Sequence, residues 1–166
     1  MRGYEIGHGL RDTELRLRED CAIAAGVFQH QGARRSRHGR PGEHVTVLAY
    51  GAMVPVAVEA AETAMARGWN VEVVDLRTLV PLDRETICAS VRKTSKALLL
   101  HEDTRTGGMA GELAATITES VFEYLDGPIV RVTAPDTPVP YSPPLEEAFL
   151  PNAEKVVEKA RWLYRY

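Results

Sequence analysis

The chain has 166 residues, of which 45% are hydrophobic and 26% charged, with a formal net charge of −3 at pH 7. This length suits one domain that buries its own core, and the slightly acidic balance argues against nucleic acid as the main partner. Two cysteines without metal-ligand spacing, no secretory leader and no long apolar run argue against a disulfide framework, a zinc site, secretion and a membrane span, so a cytoplasmic protein is expected.

The first 42 residues differ from the rest of the chain. They hold eight Lys or Arg against five Asp or Glu, whereas residues 43–166 hold twelve against eighteen. Residues 13–25 have the apolar spacing of a short helix, but residues 28–44 show no period of either kind and contain a cluster of four arginines. We therefore predict a poorly structured basic arm over residues 1–42, and favour a solvated linker over an arm that binds nucleic acid or anions.

From residue 43 the sequence alternates between strand and helix patterns. Four apolar, β-branched runs predict buried parallel strands: residues 45–50, 70–76, 97–102 and 128–133. Helical spacing separates these runs, and two short helices are predicted to close the chain. The order predicts a three-layer α/β/α domain over residues 43–166, with a mostly parallel sheet of four to five strands.

Capping residues, a glycine and prolines refine the predicted boundaries of these elements. Asp83 and Asn152 stand where helices begin and are predicted N-caps. Gly68 is expected to end the first helix. The proline-rich residues 134–144 predict a loop that is neither helix nor central strand. Cys88 falls on an apolar helical stripe and is predicted to be a core thiol.

The stretch "HEDTRTGGMAGE", residues 101–112, follows the third predicted strand, at the edge where open α/β sheets bind ligands. His101 with Glu102 or Asp103 offers a general base and its orienter, but adjacent strand residues point in opposite directions. Three consecutive ligands rarely converge on one metal ion. The glycines with Arg105 do not match nucleotide-binding spacing. We favour a structural reading, in which small residues let the following helix pack closely on another backbone.

Three of the last five residues of the chain are aromatic. Trp162 and Tyr166 lie four residues apart and share one side of a helix, while Tyr164 lies elsewhere. A place in the core is favoured over a contact with a partner.

Four longer segments together resemble one family: "YGAMVPVAVEAAE", "VEVVDLRTLVPLDRETI", "LLLHEDTRTGGMAGELAATI" and "YLDGPIVRVTAPDTPVPYSPPLEEAFLP". In order and spacing they are similar to the C-terminal domain of the β subunit of thiamine-diphosphate-dependent 2-oxoacid dehydrogenases, which has the transketolase C-terminal fold. The resemblance covers roughly Glu43 to Tyr166. "HEDTRTGG" is more similar to the branched-chain (3-methyl-2-oxobutanoate dehydrogenase) type than to the pyruvate type.

The resemblance implies that this part of the subunit is not catalytic alone. In the family, a preceding domain binds the aminopyrimidine ring of the cofactor and carries the catalytic histidine and the activating glutamate, while the α subunit holds the diphosphate and magnesium. No GDG motif followed by paired asparagines occurs in this chain. No catalytic, cofactor-binding or metal-binding residue is therefore carried over, and thiamine diphosphate and Mg²⁺ are expected only in the parent complex.

What the resemblance implies instead is assembly, in the cytoplasm or, in a eukaryote, the mitochondrial matrix. The expected partners are an α subunit, a second β subunit and the acyltransferase component. The expected subunit-interface residues are His101, Glu102, Asp103, Arg105, Gly107, Gly108 and Gly111. Asp126 and Tyr166 are expected near the acyltransferase docking surface.

One departure from the family leads to a further hypothesis. An antiparallel strand normally precedes the first parallel strand, but "GARRSRHGRPGEH" takes its place here. We expect that the sheet lacks this edge strand, and that the chain is a remnant or frameshifted piece of a longer β subunit. Two other functions stay open: a stand-alone module that binds small anions, and a regulatory interaction protein of a dehydrogenase complex.

Overall fold

The computed structural model describes residues 36–166, and the predicted helix over residues 13–25 lies outside the described residues. The described part contains five strands: β1 (Arg37–Arg40), β2 (Val45–Ala49), β3 (Val71–Asp75), β4 (Ala97–Thr104) and β5 (Val130–Ala134). Its five α-helices are α1 (Met53–Ala66), α2 (Arg84–Thr94), α3 (Ala110–Val121), α4 (Pro143–Phe149) and α5 (Ala153–Arg165). None of these helices has the length and apolar content needed to cross a membrane.

The strands form one sheet in the order β1-β3-β2-β4-β5. β2 runs parallel to β3 and β4, with Val45 opposite Val71 and Thr46 opposite Ala97. β5 continues the parallel set, and β1 alone is antiparallel. The predicted three-layer α/β fold with a mostly parallel sheet is confirmed, with five strands.

Alternating strand residues supply two separate apolar layers. On one face, Val47, Val73 and Leu98 pack with α1 and α5. On the other face, Leu48 and Leu99 pack with α2 and α3. Because both faces are covered, the central strands carry continuous runs of buried residues, which is why their sequences lack a polar alternation.

The edge strand β1 corrects two expectations. It pairs with β3 through Arg37 opposite Asp75, so the sheet does not lack its antiparallel edge strand. It also begins inside the stretch assigned to the arm, so a domain boundary after residue 42 does not fit the structure. The chain after β1 passes close to the backbone of β3 at Gly42, where a Cβ would come within 2.2 Å of the Glu72 backbone nitrogen.

Local signals at the helix ends mostly act as predicted. The Asp83 side chain accepts a hydrogen bond from the Thr86 N–H at 3.1 Å, and Asn152 accepts one from the Lys155 N–H at 3.0 Å. Gly68 follows α1 with φ of +85°, which ends the helix at low steric cost. Cys88 is buried on α2, as predicted.

The proline-rich segment contains one exception to the predicted loop. Pro143 begins α4, with both prolines of the pair in its first turn. Proline is tolerated there because the first backbone N–H groups of a helix have no intrahelical acceptor. The expectation that residues 134–144 contain no helix is therefore wrong at its last two residues.

The C-terminal aromatic residues are exposed, so the prediction that they belong to the core is wrong. The Trp162 and Tyr166 rings contact each other at 5.4 Å between centroids, yet both side chains are more than half exposed. Tyr164 lies on the other side of α5 and stacks on buried Trp69 at 5.5 Å. The predicted division between the two sides of the helix is confirmed.

Candidate functional site

Residues 101–112 form the end of β4, a short loop and the first turn of α3. Burial along β4 stops after His101, and Glu102 and Asp103 are exposed. Neither carboxylate accepts a hydrogen bond from His101, and instead the Ala110 backbone N–H donates to Nε2 at 3.3 Å. The structure thus separates the imidazole from its candidate orienters and attaches it to the start of α3.

Burial controls the protonation of His101. The side chain is only 1% exposed, and this desolvation lowers the pKa of the imidazole from its ordinary value. The Asp103 carboxylate opposes the shift and the Arg131 guanidinium adds to it. Because Nε2 accepts the Ala110 hydrogen bond, we assign the proton of the neutral ring to Nδ1. Nδ1 has no hydrogen-bond partner within residues 36–166.

Tyr50 follows β2, is half-buried and packs beside His101. Its ring stacks nearly parallel to the imidazole, with centroids 6.0 Å apart. Burial raises the pKa of the Tyr50 hydroxyl, and the charges of Asp103 and Glu102 raise it further. Both rings are therefore neutral near pH 7. The protonated Tyr50 hydroxyl is not an activated nucleophile, and the basic lone pair of His101 on Nε2 is already engaged by the Ala110 N–H.

Each of the three glycines has its own environment. A Cβ on Gly108 would meet the Thr104 carbonyl oxygen at 2.3 Å and His101 Cε1 at 2.6 Å, so this position requires glycine for close approach. Gly107 has φ of +78°, a conformation that L side chains rarely adopt. Gly111 faces open space. The predicted close packing is confirmed at Gly108, and it takes place within the chain.

The loop after β4 is tied to the loop after β5 by a residue that sequence reasoning missed. The Asp136 carboxylate accepts hydrogen bonds from the Thr106 N–H at 2.8 Å and from its hydroxyl at 2.7 Å. These two hydrogen bonds lower the pKa of the Asp136 carboxyl, and the bond from the backbone N–H has the larger effect. Asp136 lies within the "PDTPVP" segment, and its position after the neighbouring strand is the signal that identifies it in retrospect.

These loops border a cleft of ≈ 770 Å³ at the carboxyl ends of the strands. Arg105 and Arg131 line it together with the carboxylates of Asp103 and Glu112, so its charges balance. The part of the chain that the structure describes holds no group of three or more His, Cys, Asp or Glu side chains that suits a metal ion. His101 and Gly108 lie beneath the surface, which leaves Glu102, Asp103, Arg105, Gly107 and Gly111 accessible from outside.

The two predicted docking residues lie at one place. Asp126 and Tyr166 line the same groove of ≈ 430 Å³, together with the exposed ring of Phe122. The Asp126 backbone N–H donates to the Ser95 carbonyl at 2.9 Å, which fixes the turn. The Tyr166 ring lies against Gly127, where a Cβ would be 3.1 Å from Cδ1.

Comparison with known proteins identifies relatives of this domain. The family model described as "Transketolase, C-terminal domain" matches residues 35–156. Subunit beta of 2-oxoisovalerate dehydrogenase from Bacillus subtilis (strain 168) is 43% identical over 128 residues, covering 76% of this chain and 39% of that protein. The mitochondrial pyruvate dehydrogenase E1 component subunit beta-2 of Oryza sativa subsp. japonica is 36% identical over 153 residues, covering 90% and 41%.

A solved structure agrees with these sequence matches. The inactive beta4 tetramer of a split-gene transketolase superposes with a TM-score of 0.65 at 30% identity, covering 79% of this chain and 41% of that one. The chain thus spans less than half the length of these relatives. An alignment over 90% of the chain necessarily includes part of residues 1–42, so the similarity is not confined to the part that begins at Glu43. The chain belongs to the transketolase C-terminal domain family, and its homologues include β subunits of 2-oxoacid dehydrogenases.

Proposed function

We propose that this chain supplies the assembly and docking domain of a 2-oxoacid dehydrogenase β subunit and is not catalytic alone. The observation that carries the proposal is the arrangement of buried and exposed side chains within residues 101–112. Buried His101 and Gly108 anchor the segment to the domain, whereas its carboxylates and Arg105 are exposed. The segment has no hydrogen-bonded histidine–carboxylate pair that could transfer a proton. A rigid, charged, exposed loop suits recognition of another subunit, where complementary charge sets partner and register.

Exposed apolar residues near the end of the sheet support the same proposal. Val80, Val139, Tyr141 and Leu145 all have well over half of their surface exposed. Three of them, Val139, Tyr141 and Leu145, belong to one seven-residue segment, and we propose that this segment contributes to a contiguous apolar surface that another chain covers. An α subunit and a second β subunit are the proposed covering partners.

In the parent complex, thiamine diphosphate with Mg²⁺ would supply the decarboxylation chemistry. The described residues do not provide a magnesium ligand set, because no three His, Cys, Asp or Glu side chains among them are grouped so that they could hold a metal ion. We propose that other domains hold the cofactor. The substrate we propose is a branched-chain 2-oxoacid, with pyruvate as the alternative, and both substrate types occur in the names of the relatives.

Asp126 and Tyr166 are the proposed contacts for the acyltransferase component. Their shared groove offers one carboxylate beside aromatic and apolar surface. A desolvated charge pair surrounded by apolar contacts is a common arrangement at binding hot spots.

The test of assembly is co-expression of the chain with a 2-oxoacid dehydrogenase α subunit, followed by size-exclusion chromatography. We expect co-elution that is lost in the double variant Asp103→Lys/Arg105→Glu. The matched control is Glu119→Lys/Arg92→Glu, which makes the same pair of charge changes on exposed helix surface away from the loop. Separate elution of the unmodified chain, or equal loss in both variants, contradicts the proposal.

The second candidate function is a small-anion-binding module. The shared position of Arg105 and Arg131 in the cleft favours it, whereas Asp103 and Glu112 oppose it. A thermal-shift series with inorganic phosphate, diphosphate and a nucleotide separates the two functions. A rise in melting temperature that Arg131→Gln abolishes would favour the module, and the assembly proposal predicts no rise.

A further inference from the structure

A second groove, of ≈ 830 Å³, follows the exposed side of α5, with Arg67 from the end of α1 on its wall. Five cationic side chains and two carboxylates line it. The groove therefore carries a net positive charge, although the chain as a whole is acidic. It is separate from the cleft at residues 101–112.

The cations of the groove fall into two groups. Lys155 Nζ donates to the carbonyls of Ala148 and Leu150 at 3.1 and 3.2 Å, and Lys159 pairs with Glu158 at 3.4 Å. The guanidinium groups of Arg67, Arg161 and Arg165, by contrast, have no hydrogen bond or ion pair with any side chain or carbonyl of residues 36–166.

Helix dipoles favour two of these three arginines. A cation in the last turn of a helix is stabilised by the negative end of the dipole, and Arg165 occupies the last turn of α5. Arg67 is the C-cap residue of α1 and lies at the negative end of that helix, whereas Arg161 lies one turn before Arg165. Capping therefore explains neither Arg161 nor the presence of all three arginines along one groove.

Trp162 lies among these arginines. Its side chain is 51% exposed and lines the groove, whereas Trp69, the other tryptophan of the chain, is 6% exposed. Tryptophan and arginine are the residues that most often dominate the free energy of protein–protein binding, because they combine apolar area with directional hydrogen bonds.

We propose that this groove binds an acidic segment of a partner protein, with its carboxylates on Arg67, Arg161 and Arg165 and an apolar side chain on Trp162. Guanidinium groups bind carboxylates in a bidentate geometry, which favours this pairing. The inference does not rest on the proposed function, since it uses only the charge and exposure of α5 and of the end of α1.

Two other occupants fit the charges less well. A second copy of the chain would bring two positively charged grooves together, which costs electrostatic free energy. A nucleic acid would lay phosphates along the whole groove, including the part next to Glu154 and Glu158, and would approach a chain of net negative charge.

The test uses the 166-residue chain and a fluorescein-labelled peptide of glutamates around a central Leu-Leu pair. Anisotropy at low salt is expected to show binding that weakens about tenfold or more in Arg161→Glu/Arg165→Glu and also weakens in Trp162→Ala. The matched control, Arg84→Glu/Arg92→Glu, makes the same change in net charge on α2, which packs on the opposite face of the sheet. It is expected to bind almost as tightly as the unmodified chain.

Three outcomes contradict the proposal: no binding of the peptide, an equal loss in the control variant, or tighter binding of a single-stranded DNA of the same charge. Sedimentation as a dimer that excludes the peptide would identify a second copy as the occupant instead.

A second measurement needs no charge-reversed variant and so keeps the proposal testable if that variant does not fold. Trp162 dominates collisional quenching, because Trp69 is buried. The ratio of the iodide to the caesium quenching constant is expected to exceed the ratio measured for free N-acetyltryptophanamide, and the peptide is expected to protect the fluorescence. A ratio no higher than that of the free indole contradicts the positive potential on which the proposal depends.

Discussion

The backbone N–H of Ala110 donates a hydrogen bond to Nε2 of His101, across 3.3 Å and from a different secondary-structure element. This bond satisfies one of the free N–H groups at the start of α3. It requires an unprotonated Nε2, because an imidazolium ring has no acceptor. Protonation of His101 would also place a positive charge against the positive end of the α3 dipole.

The first prediction concerns how the free energy of unfolding depends on pH. Burial lowers the pKa of His101 in the folded chain below its ordinary value of 6.5, so the unfolded chain binds more protons between the two pKa values. The contribution of neutral His101 to the free energy of unfolding is complete above pH 6.5. It is lost as the pH falls towards the pKa of His101 in the folded chain. Urea unfolding is expected to show a decline of up to about 1.4 kcal/mol per pH unit from this one group.

The control for this prediction is His101→Gln, whose amide does not titrate. The difference between the two unfolding free energies should shrink as the pH falls below 6.5, since the other histidines are common to both chains. A constant difference across that range would show that His101 does not titrate as its burial requires.

The second prediction concerns Gly108. Gly108→Ala is expected to destabilise the chain by about 2 kcal/mol, because the Thr104 carbonyl oxygen cannot yield to a Cβ at 2.3 Å without moving the backbone. Gly111→Ala is the matched control in the same segment. Its Cβ meets open space, so we expect between no change and about 1 kcal/mol of stabilisation. Similar unfolding midpoints for both variants would contradict the packing of His101 against Gly108.

The sheet and its helices were predictable because their signals are local. The buried strands β2, β3 and β4 appear as apolar runs, and the Asp83 and Asn152 caps depend on residues only three positions away. The edge strand β1 has no such signal. Its residues Arg37–Arg40 pair with β3 through the main chain, and an edge strand gains from exposed charge. An arginine-rich strand therefore has the composition of a linker.

The site was only partly predictable, for a related reason. The position of residues 101–112 beyond the end of β4 follows from the topology of parallel sheets. The partner of Thr106 is Asp136, thirty residues later on the neighbouring strand's loop. The pairing of Ala110 with His101 depends in the same way on how the loop folds back. Sequence spacing does not encode contacts of this kind.

The third prediction concerns the bond between these two loops. Asp136→Ala removes both acceptors of Thr106, so hydrogen–deuterium exchange at the Thr106 amide should accelerate while exchange in the sheet stays unchanged. Asp126→Ala serves as the control, because that exposed carboxylate has no hydrogen bond to the loop. In the unmodified chain, protection of the Thr106 amide from exchange should persist below pH 3.8, the ordinary pKa of an aspartate carboxyl. The reason is that the hydrogen bonds from Thr106 lower the pKa of Asp136. Unchanged exchange in Asp136→Ala would show that the loop is held by other contacts.

The fourth prediction tests the proposal that the groove of Asp126 and Tyr166 binds the acyltransferase component. If the acyltransferase component places a cation against Asp126, Asp126→Lys should weaken its binding about tenfold or more, mainly through faster dissociation. Tyr166→Ala should also weaken binding, because the ring covers Gly127 and forms the apolar wall of the groove. Glu119→Lys makes the same charge change on exposed α3 surface outside the groove and should have little effect in surface plasmon resonance. Equal losses in Asp126→Lys and Glu119→Lys would assign the effect to net charge and would remove Asp126 from the docking surface.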